Sequence, residues 1–218
     1  MRRDRDEILK AAARYFSNGG GFRTTSMQEM AEAIDVSRSA LYYHFTEKSD
    51  LLYEILMLVI DEFCNRAREI ADYPLPAAQR LSLLIRAALK LETENPGVPL
   101  VIVLRSDADS IKPEQRAAYV KRRDEYEAYY RRLIDEGITA GEFRPVNTKI
   151  TTFALLGMLE EFDGWFDPDG PLTSDEVAEI FTDFVLSSLA PDRPAGPLSD
   201  PPTAARSTRA AKRRTGSR

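Results

Sequence analysis

The sequence predicts an all-α chain of about nine helices, a small head followed by a larger helical body. Three observations carry that expectation. Apolar residues recur every three to four positions along most of the 218 residues. Leu, Ala, Glu and Arg are plentiful and β-branched runs are scarce, which favours helix. Pro, Gly and capping pairs punctuate the periodic stretches where helices should end.

Each element follows in order. Ile8, Leu9, Ala12, Tyr15 and Phe16 form the first stripe, stopped by the glycines of "SNGGGF". In "TTSMQEMAEAI", Thr25 with Gln28 fits a capping box, and Ser26 with Glu29 is an alternative frame. Met27, Met30, Ala31 and Ile34 supply its apolar face. Asp35 and Val36 turn the chain, and Ser37 is the expected N-cap of a short helix in "DVSRSALYYHF". Thr46 is the expected cap of a long helix, "EKSDLLYEILMLVIDEFCNRAREI", ended by "DYPLP". Helices over 77–95, 99–105, 113 to about 140, 147–166 and 173–189 follow. Thr173 with Glu176 forms a further capping box, and Val177, Ile180, Phe181, Phe184, Val185 and Leu189 repeat with a period near 3.6. From Pro191 onward almost no large apolar residue occurs, so a disordered basic tail is expected over 191–218.

Composition narrows the function. One cysteine, Cys64, excludes an intramolecular disulfide and suits a reducing cytoplasm. No apolar run approaches the roughly 20 residues of a membrane helix. The start, "MRRDRDEILK", lacks the apolar core of an export signal. Charge is uneven: residues 1–50 hold eight Lys/Arg and eight Asp/Glu, residues 51–190 hold 15 against 25, and residues 191–218 hold seven against two. Any contact with a polyanion is therefore confined to the head or the tail. No Cys/His/Asp cluster, metal spacing or phosphate loop points to an enzyme, and neither cofactor nor metal is expected. The only histidine, His44, lacks a partner for nucleophilic catalysis. The aspartates 163, 167 and 169 miss the alternation of a calcium loop and read as a solvated turn.

Three head helices, the second and third joined by a tight turn, describe a helix-turn-helix unit, whose third helix enters the major groove. Leu41 and Phe45 are four apart and should dock that helix on its neighbours. Arg38 near its N-terminal end suits guanine O6 and N7, and Ser39 suits a base or a phosphate. Tyr42 and Tyr43 offer hydroxyls to phosphates or ring faces to thymine methyls, against the plainer alternative that they only pack. His44 suits a phosphate or the helix C-terminus. Lys48, Thr25, Ser26 and Ser37 complete the expected DNA-binding set, because helix starts attract phosphates.

The block "AARYFSNGGGFRTTSMQEMAEAIDVSRSALYYHFTEKSDLLYEIL" resembles the DNA-binding domain of TetR-type transcriptional repressors. The matching features are Gly-Phe-x-x-Thr-Thr, Met-Ala in the second helix, and Val-Ser-x-x-x-Leu-Tyr-x-His-Phe, then Lys and Leu-Leu. Three glycines stand before Phe22 where the family usually has one. Asp35 occupies the usual glycine of the turn, a position Asp can fill in a left-handed conformation. Ser39-Ala40 replaces the frequent Gly-Thr.

The resemblance implies a homodimeric repressor of a near-palindromic double-stranded operator, with half-sites about one helical turn apart, ~34 Å or a small multiple. It implies a head over 1–47 and an effector-binding and dimerisation domain over 48–190. The last two helices of each subunit would form the dimer interface, with Phe153, Gly157, Met158, Val177, Phe181, Phe184 and Val185 as candidates. A small hydrophobic effector would bind the body and release the operator. Leu84, Leu104, Tyr126, Tyr130, Phe162 and Trp165 are the expected pocket residues. The segment "EFRP…WFDPDGPLT" is similar to a subgroup that responds to acyl-CoA thioesters of lipid and steroid breakdown, which makes a fatty acid or acyl-CoA the expected effector class. Basic residues that flank the tryptophan in that subgroup are Gly164 and Asp167 here. The alternatives are a DNA-binding protein without a ligand and a helical carrier or enzyme.

Overall fold

The computed structural model describes residues 4–17, 22, 24–94 and 110–191. Within them the chain is helical throughout: α1 Arg5–Ser17, α2 Met27–Ala33, α3 Arg38–His44, α4 Lys48–Ala71, α5 Ala77–Glu94, α6 Pro113–Thr139, α7 Thr148–Glu160, α8 Phe162–Trp165 and α9 Ser174–Leu189. The helix expected over 99–105, with Leu104, and the tail after Pro191 lie outside the described residues.

Helices α1 to α3 form the head around Ile8, Phe16, Met30, Leu41 and Phe45, all buried. The N-terminal half of α4 packs on α1, and α4 then runs along α5 and α6, its most extensive partner. One helix of 24 residues therefore joins head and body without a break. Its buried stripe, Leu52, Leu56, Ile60, Phe63 and Ala67, follows the helical period. Helix α9 lies on α5, and α7 lies on α6 and α5.

Polar ties fix the joints. Glu142 accepts from the N–H groups of Ala77 (3.1 Å) and Ala78 (2.9 Å), so a loop carboxylate caps the start of α5. The Arg144 backbone N–H donates to Leu189 and its Nε to Ser188, both at 2.8 Å, satisfying carbonyls at the end of α9. Arg80 bridges the Ala71 carbonyl and Glu136, tying α4, α5 and α6 together.

One open alternative is decided and two local expectations are corrected. At α2 the capping box uses Ser26 and Glu29, not Thr25 and Gln28: the Ser26 N–H donates to Glu29 at 2.7 Å and the Glu29 N–H to the Ser26 hydroxyl at 3.2 Å. The N-cap of α4 is Glu47 rather than Thr46, and it makes no side-chain cap bond. The single helix expected over 147–166 divides after Glu160 into α7 and the short α8. The break lets Phe162 turn into the core and stack on Phe166, ring centroids 4.5 Å apart. Asp35 takes the left-handed conformation expected for its turn, with φ 53°.

Candidate nucleic-acid interface

Helix α3 is short and anchored at two points. Leu41 and Phe45 are buried, and the Ser37 side chain accepts from the Ala40 N–H at 3.1 Å. Arg38, Ser39, Tyr42 and Tyr43 stay outside, with Tyr43 80% exposed. The Arg38 guanidinium lies over the Tyr42 ring, 5.3 Å from its centre. That contact holds a flexible arginine against a rigid ring at the end of the helix that would meet base edges. The Ser37 and Ser39 hydroxyls are 3.1 Å apart. Tyr43 meets His44 edge to face at 5.0 Å, and His44 is half-buried in the last turn.

The flanks match this ridge. Ser26 is exposed at the start of α2, and Lys48 is half-buried at the start of α4 with its ammonium over the Phe22 ring at 4.3 Å. Hydrogen bonds from Ser26 hold the Glu29 carboxyl below the usual carboxylate range, with a smaller contribution from Lys48. Thr25 needs correction: it is 6% exposed and packs into the head, so Ser26 presents the hydroxyl at that helix start. Sequence reasoning missed Arg5, which pairs with Glu54 at 2.8 Å and lies over Phe45, bracing α1 and α4 behind α3. Nothing short of the three-dimensional packing signals that brace.

In the body, Leu84, Tyr126, Tyr130 and Phe162 are buried together with the α4–α6 core, and Trp165 is 53% exposed. The Tyr126 and Tyr130 hydroxyls share a 2.8 Å hydrogen bond. Burial pushes both phenols well above their ordinary range. Trp165 contacts Phe162 and Phe181. Cys64 is buried, donates to the Arg122 carbonyl at 3.3 Å, and has its thiol pushed up to about 11 by burial.

The expected interface residues divide into two groups. Phe153 and Phe184 are exposed, Met158 and Phe181 are half-buried, and a Cβ added to Gly157 meets nothing within 4 Å. Val177 and Val185 are buried inside the subunit, so they are corrected to core residues. The outer faces of α7 and α9 gain Ile150 and Ile180, which belong to the same periodic stripes and are exposed. Among the described residues no helix is long and apolar enough to cross a membrane, and no group of His, Cys, Asp or Glu is placed to hold a metal ion.

Comparison with known proteins agrees with this architecture. Residues 8–55 match the model for bacterial regulatory proteins of the tetR family, and residues 74–189 match the tetracyclin repressor-like C-terminal domain. The HTH-type transcriptional repressor KstR2 of Mycobacterium tuberculosis is 25% identical over 187 residues, 85% of this chain and 92% of that one. The structure of the TetR family regulator PfmR from Thermus thermophilus superposes with a TM-score of 0.76 at 33% identity, covering 85% of this chain and 99% of that one. The structure of AibR in complex with isovaleryl coenzyme A and operator DNA gives 0.75 at 28% identity, covering 85% and 97%. With both of its domain models matched and its exposed third helix in place, the chain belongs to the TetR family: it is a DNA-binding transcriptional repressor, not an enzyme.

Proposed function

We propose that this repressor binds a near-palindromic operator as a homodimer and leaves it when a small apolar effector enters the body. The observation that carries the DNA half is the α3 ridge, where Arg38, Ser39, Tyr42 and Tyr43 stand exposed over the buried Leu41 and Phe45. Arg38 reads a guanine edge, Tyr42 and Tyr43 meet backbone or thymine methyls, and Ser26, Ser37, His44 and Lys48 fix the register on phosphates. The acidic body keeps the contact confined to the heads or the basic tail.

Two copies pair through the outer faces of α7 and α9, where Ile150, Phe153, Ile180 and Phe184 are exposed around the open Gly157. Large apolar groups left exposed on two helices suit an interaction surface. For the effector, AibR supplies a relative whose solved complex holds an acyl-coenzyme A, and a fatty acid or acyl-CoA is the class the chain's end region suggested.

The test has two arms. Duplexes selected from a random pool by the purified protein should converge on an inverted repeat, and Arg38→Ala should lose at least tenfold in affinity for it. A melting screen against apolar molecules, repeated with operator present, should find a compound that raises Tm and frees the duplex. Selection without convergence overturns sequence-specific recognition. A stable operator complex that no compound disturbs favours a ligand-independent DNA-binding protein.

A further inference from the structure

One face of α5 is left partly uncovered by the subunit. Ala77, Leu81, Leu84, Ile85 and Ala88 are buried, whereas Leu75, Ala78, Gln79, Ser82 and Leu83 are exposed or half-buried. These five stand at i, i+3, i+4, i+7 and i+8, the spacing of one helix face. Together with Leu186 of α9 they line a groove of about 430 Å³. Its leucines are the unusual part: Leu75 is 38% exposed and Leu83 36%, on a surface with no described partner for them.

The groove has a closed end and an open one. One turn beyond Leu83, Arg86 pairs with Glu179 of α9 at 3.6 Å, and charge replaces the apolar lining. At the Leu75 end, Glu142 accepts from the N–H groups of Ala77 and Ala78, and Arg144 donates to the carbonyls of Ser188 and Leu189. One short loop therefore brings the start of α5 and the end of α9 together. The chain leaves α9 beside the mouth of the groove. Tyr73, 37% exposed and bonded through its carbonyl to the Leu75 N–H at 2.8 Å, adds an aromatic ring there.

The residues that follow α9 suit this surface. Leu198 is the single large apolar residue of 190–218, and Pro194, Pro197, Pro201 and Pro202 surround it. Pro-x-x-Pro spacing favours polyproline II, an extended helix that docks in apolar, aromatic-lined grooves at low entropic cost. At about 3.1 Å per residue the chain from Leu189 spans roughly 28 Å by Leu198, against about 12 Å of helix between Leu75 and Leu83. The tether is long enough to turn back along the groove. It is also short enough to hold the segment at an effective concentration near millimolar, which a foreign peptide would have to match.

We infer that the groove between α5 and α9 is the docking site of the chain's own segment 194–202, with Leu198 seated among Leu75, Leu83 and Leu186 and the prolines lying along α5. The anchor then lies toward the end of α4 away from the head, because Arg80 of α5 bonds the Ala71 carbonyl there. Helix α4 has 24 residues, about 36 Å, so the basic run from Arg206 to Arg214 starts remote from the duplex under the heads.

The test uses the full-length chain with paired cysteines. Gln79→Cys with Ser199→Cys places one thiol in the groove and one beside Leu198. Thr139→Cys with Ser199→Cys is the control, since Thr139 is exposed at the end of α6, outside the groove. The native Cys64 is buried and stays in both. Under a mild disulfide oxidant the groove pair should close within one chain about tenfold faster than the control or more. Adding Leu198→Asp should bring its rate down to that of the control; this change lies beyond α9 and leaves the helical body as it is. Gel mobility and intact mass, with and without reductant, read the product. Equal rates in the two pairs overturn the inference, as does a groove pair unaffected by Leu198→Asp. A disulfide that joins two chains overturns it in favour of a second copy as the occupant.

Discussion

The Lys112 ammonium lies 2.9 Å from Asp50 and 3.1 Å from Glu47, so the residue that starts α6 holds the start of α4 directly behind the DNA-facing helix. Gln115 adds a second donor to Asp50 at 2.9 Å. These bonds hold the Asp50 carboxyl below its ordinary value, with the Lys112 hydrogen bond the largest cause, and hold the Lys112 ammonium above its own. A depressed carboxylate stabilises the fold above its unfolded pKa, and that contribution is lost as pH falls through the folded value. A raised ammonium stabilises below its unfolded pKa, and that contribution is lost as pH rises through the folded value. The clasp is therefore intact across neutral pH and weakens in acid below the ordinary carboxylate range. Asp50→Asn should lower Tm at pH 7, and the gap from wild type should close as pH drops toward 3. Both partners are partly exposed, so the gap should also narrow in 1 M salt. A gap constant from pH 7 to 3 would separate Asp50 from the clasp.

Gly137 faces the Phe143 ring so closely that a Cβ there would overlap it. The Phe143 N–H donates to the Gly137 carbonyl at 3.0 Å, so the loop is tied back onto α6 at the same residue. Gly137→Ala should cost about 2 kcal/mol through overpacking, although alanine is the better helix former. Phe143→Ala should cost roughly 3–5 kcal/mol by leaving a cavity. The double variant should be less destabilised than the two single effects combined, because the new methyl then has room. Urea unfolding of the four proteins measures this; strict additivity would show that the ring does not set the glycine.

Asp35 is the one non-glycine residue at positive φ among those described. An L residue pays about 1–2 kcal/mol there, eased for aspartate by its short polar side chain. Asp35→Gly should raise stability by about 0.5–1 kcal/mol, and Asp35→Val should lower it by more. Thermal melts of the two variants should move in opposite directions, with operator affinity following only the valine variant as α3 loses its seat.

How far the sequence carried the reading depends on distance along the chain. Leu41 with Phe45, and Thr173 with Glu176, lie within one or two turns of each other, and their roles follow from local geometry. Asp35 was legible for the same reason. The Thr25 and Ser26 frames differ by one residue, and only packing of Met27 and Thr25 into the head decides between them. Val185 and Phe184 are neighbours on one helix whose apolar face is wide enough to serve two surfaces. Periodicity shows that both are apolar, and packing against α5 leaves Val185 buried and Phe184 exposed. The break between α7 and α8 leaves no mark in the sequence because helical patterning continues across Glu161, and the stacking of Phe162 on Phe166 is what the break allows. Pairings such as Glu142 with Ala77 and Lys112 with Asp50 join residues more than 60 positions apart and leave no sequence period to detect.

Arg38 and Lys48 should fail differently on DNA. Arg38→Ala should cost about 1–3 kcal/mol of operator affinity and relax the preference at one base position in each half-site. Lys48→Ala should weaken all duplexes alike and reduce the slope of log K against log salt by about one per subunit. Anisotropy titrations across salt, on the selected operator and on a scrambled duplex, separate the two. Equal losses on both duplexes for Arg38→Ala would move that residue from base reading to phosphate contact.

Phe184 is 65% exposed on α9, with the exposed Ile180 one turn away, whereas Val185 is buried. A charge at Phe184 therefore leaves the subunit core untouched while placing two like charges near the two-fold axis of an α7–α9 interface. Phe184→Glu should give a monomer by light scattering, with far-UV circular dichroism unchanged. Each head then binds its half-site alone, so operator affinity should drop by about 10²-fold or more as the linkage between heads disappears. Val185→Glu is the contrasting variant: its side chain is 5% exposed, and a buried unpaired carboxylate should unfold the subunit instead of dissociating it. A Phe184→Glu protein that remains dimeric and binds operator normally would place the subunit contact elsewhere than on the outer face of α9.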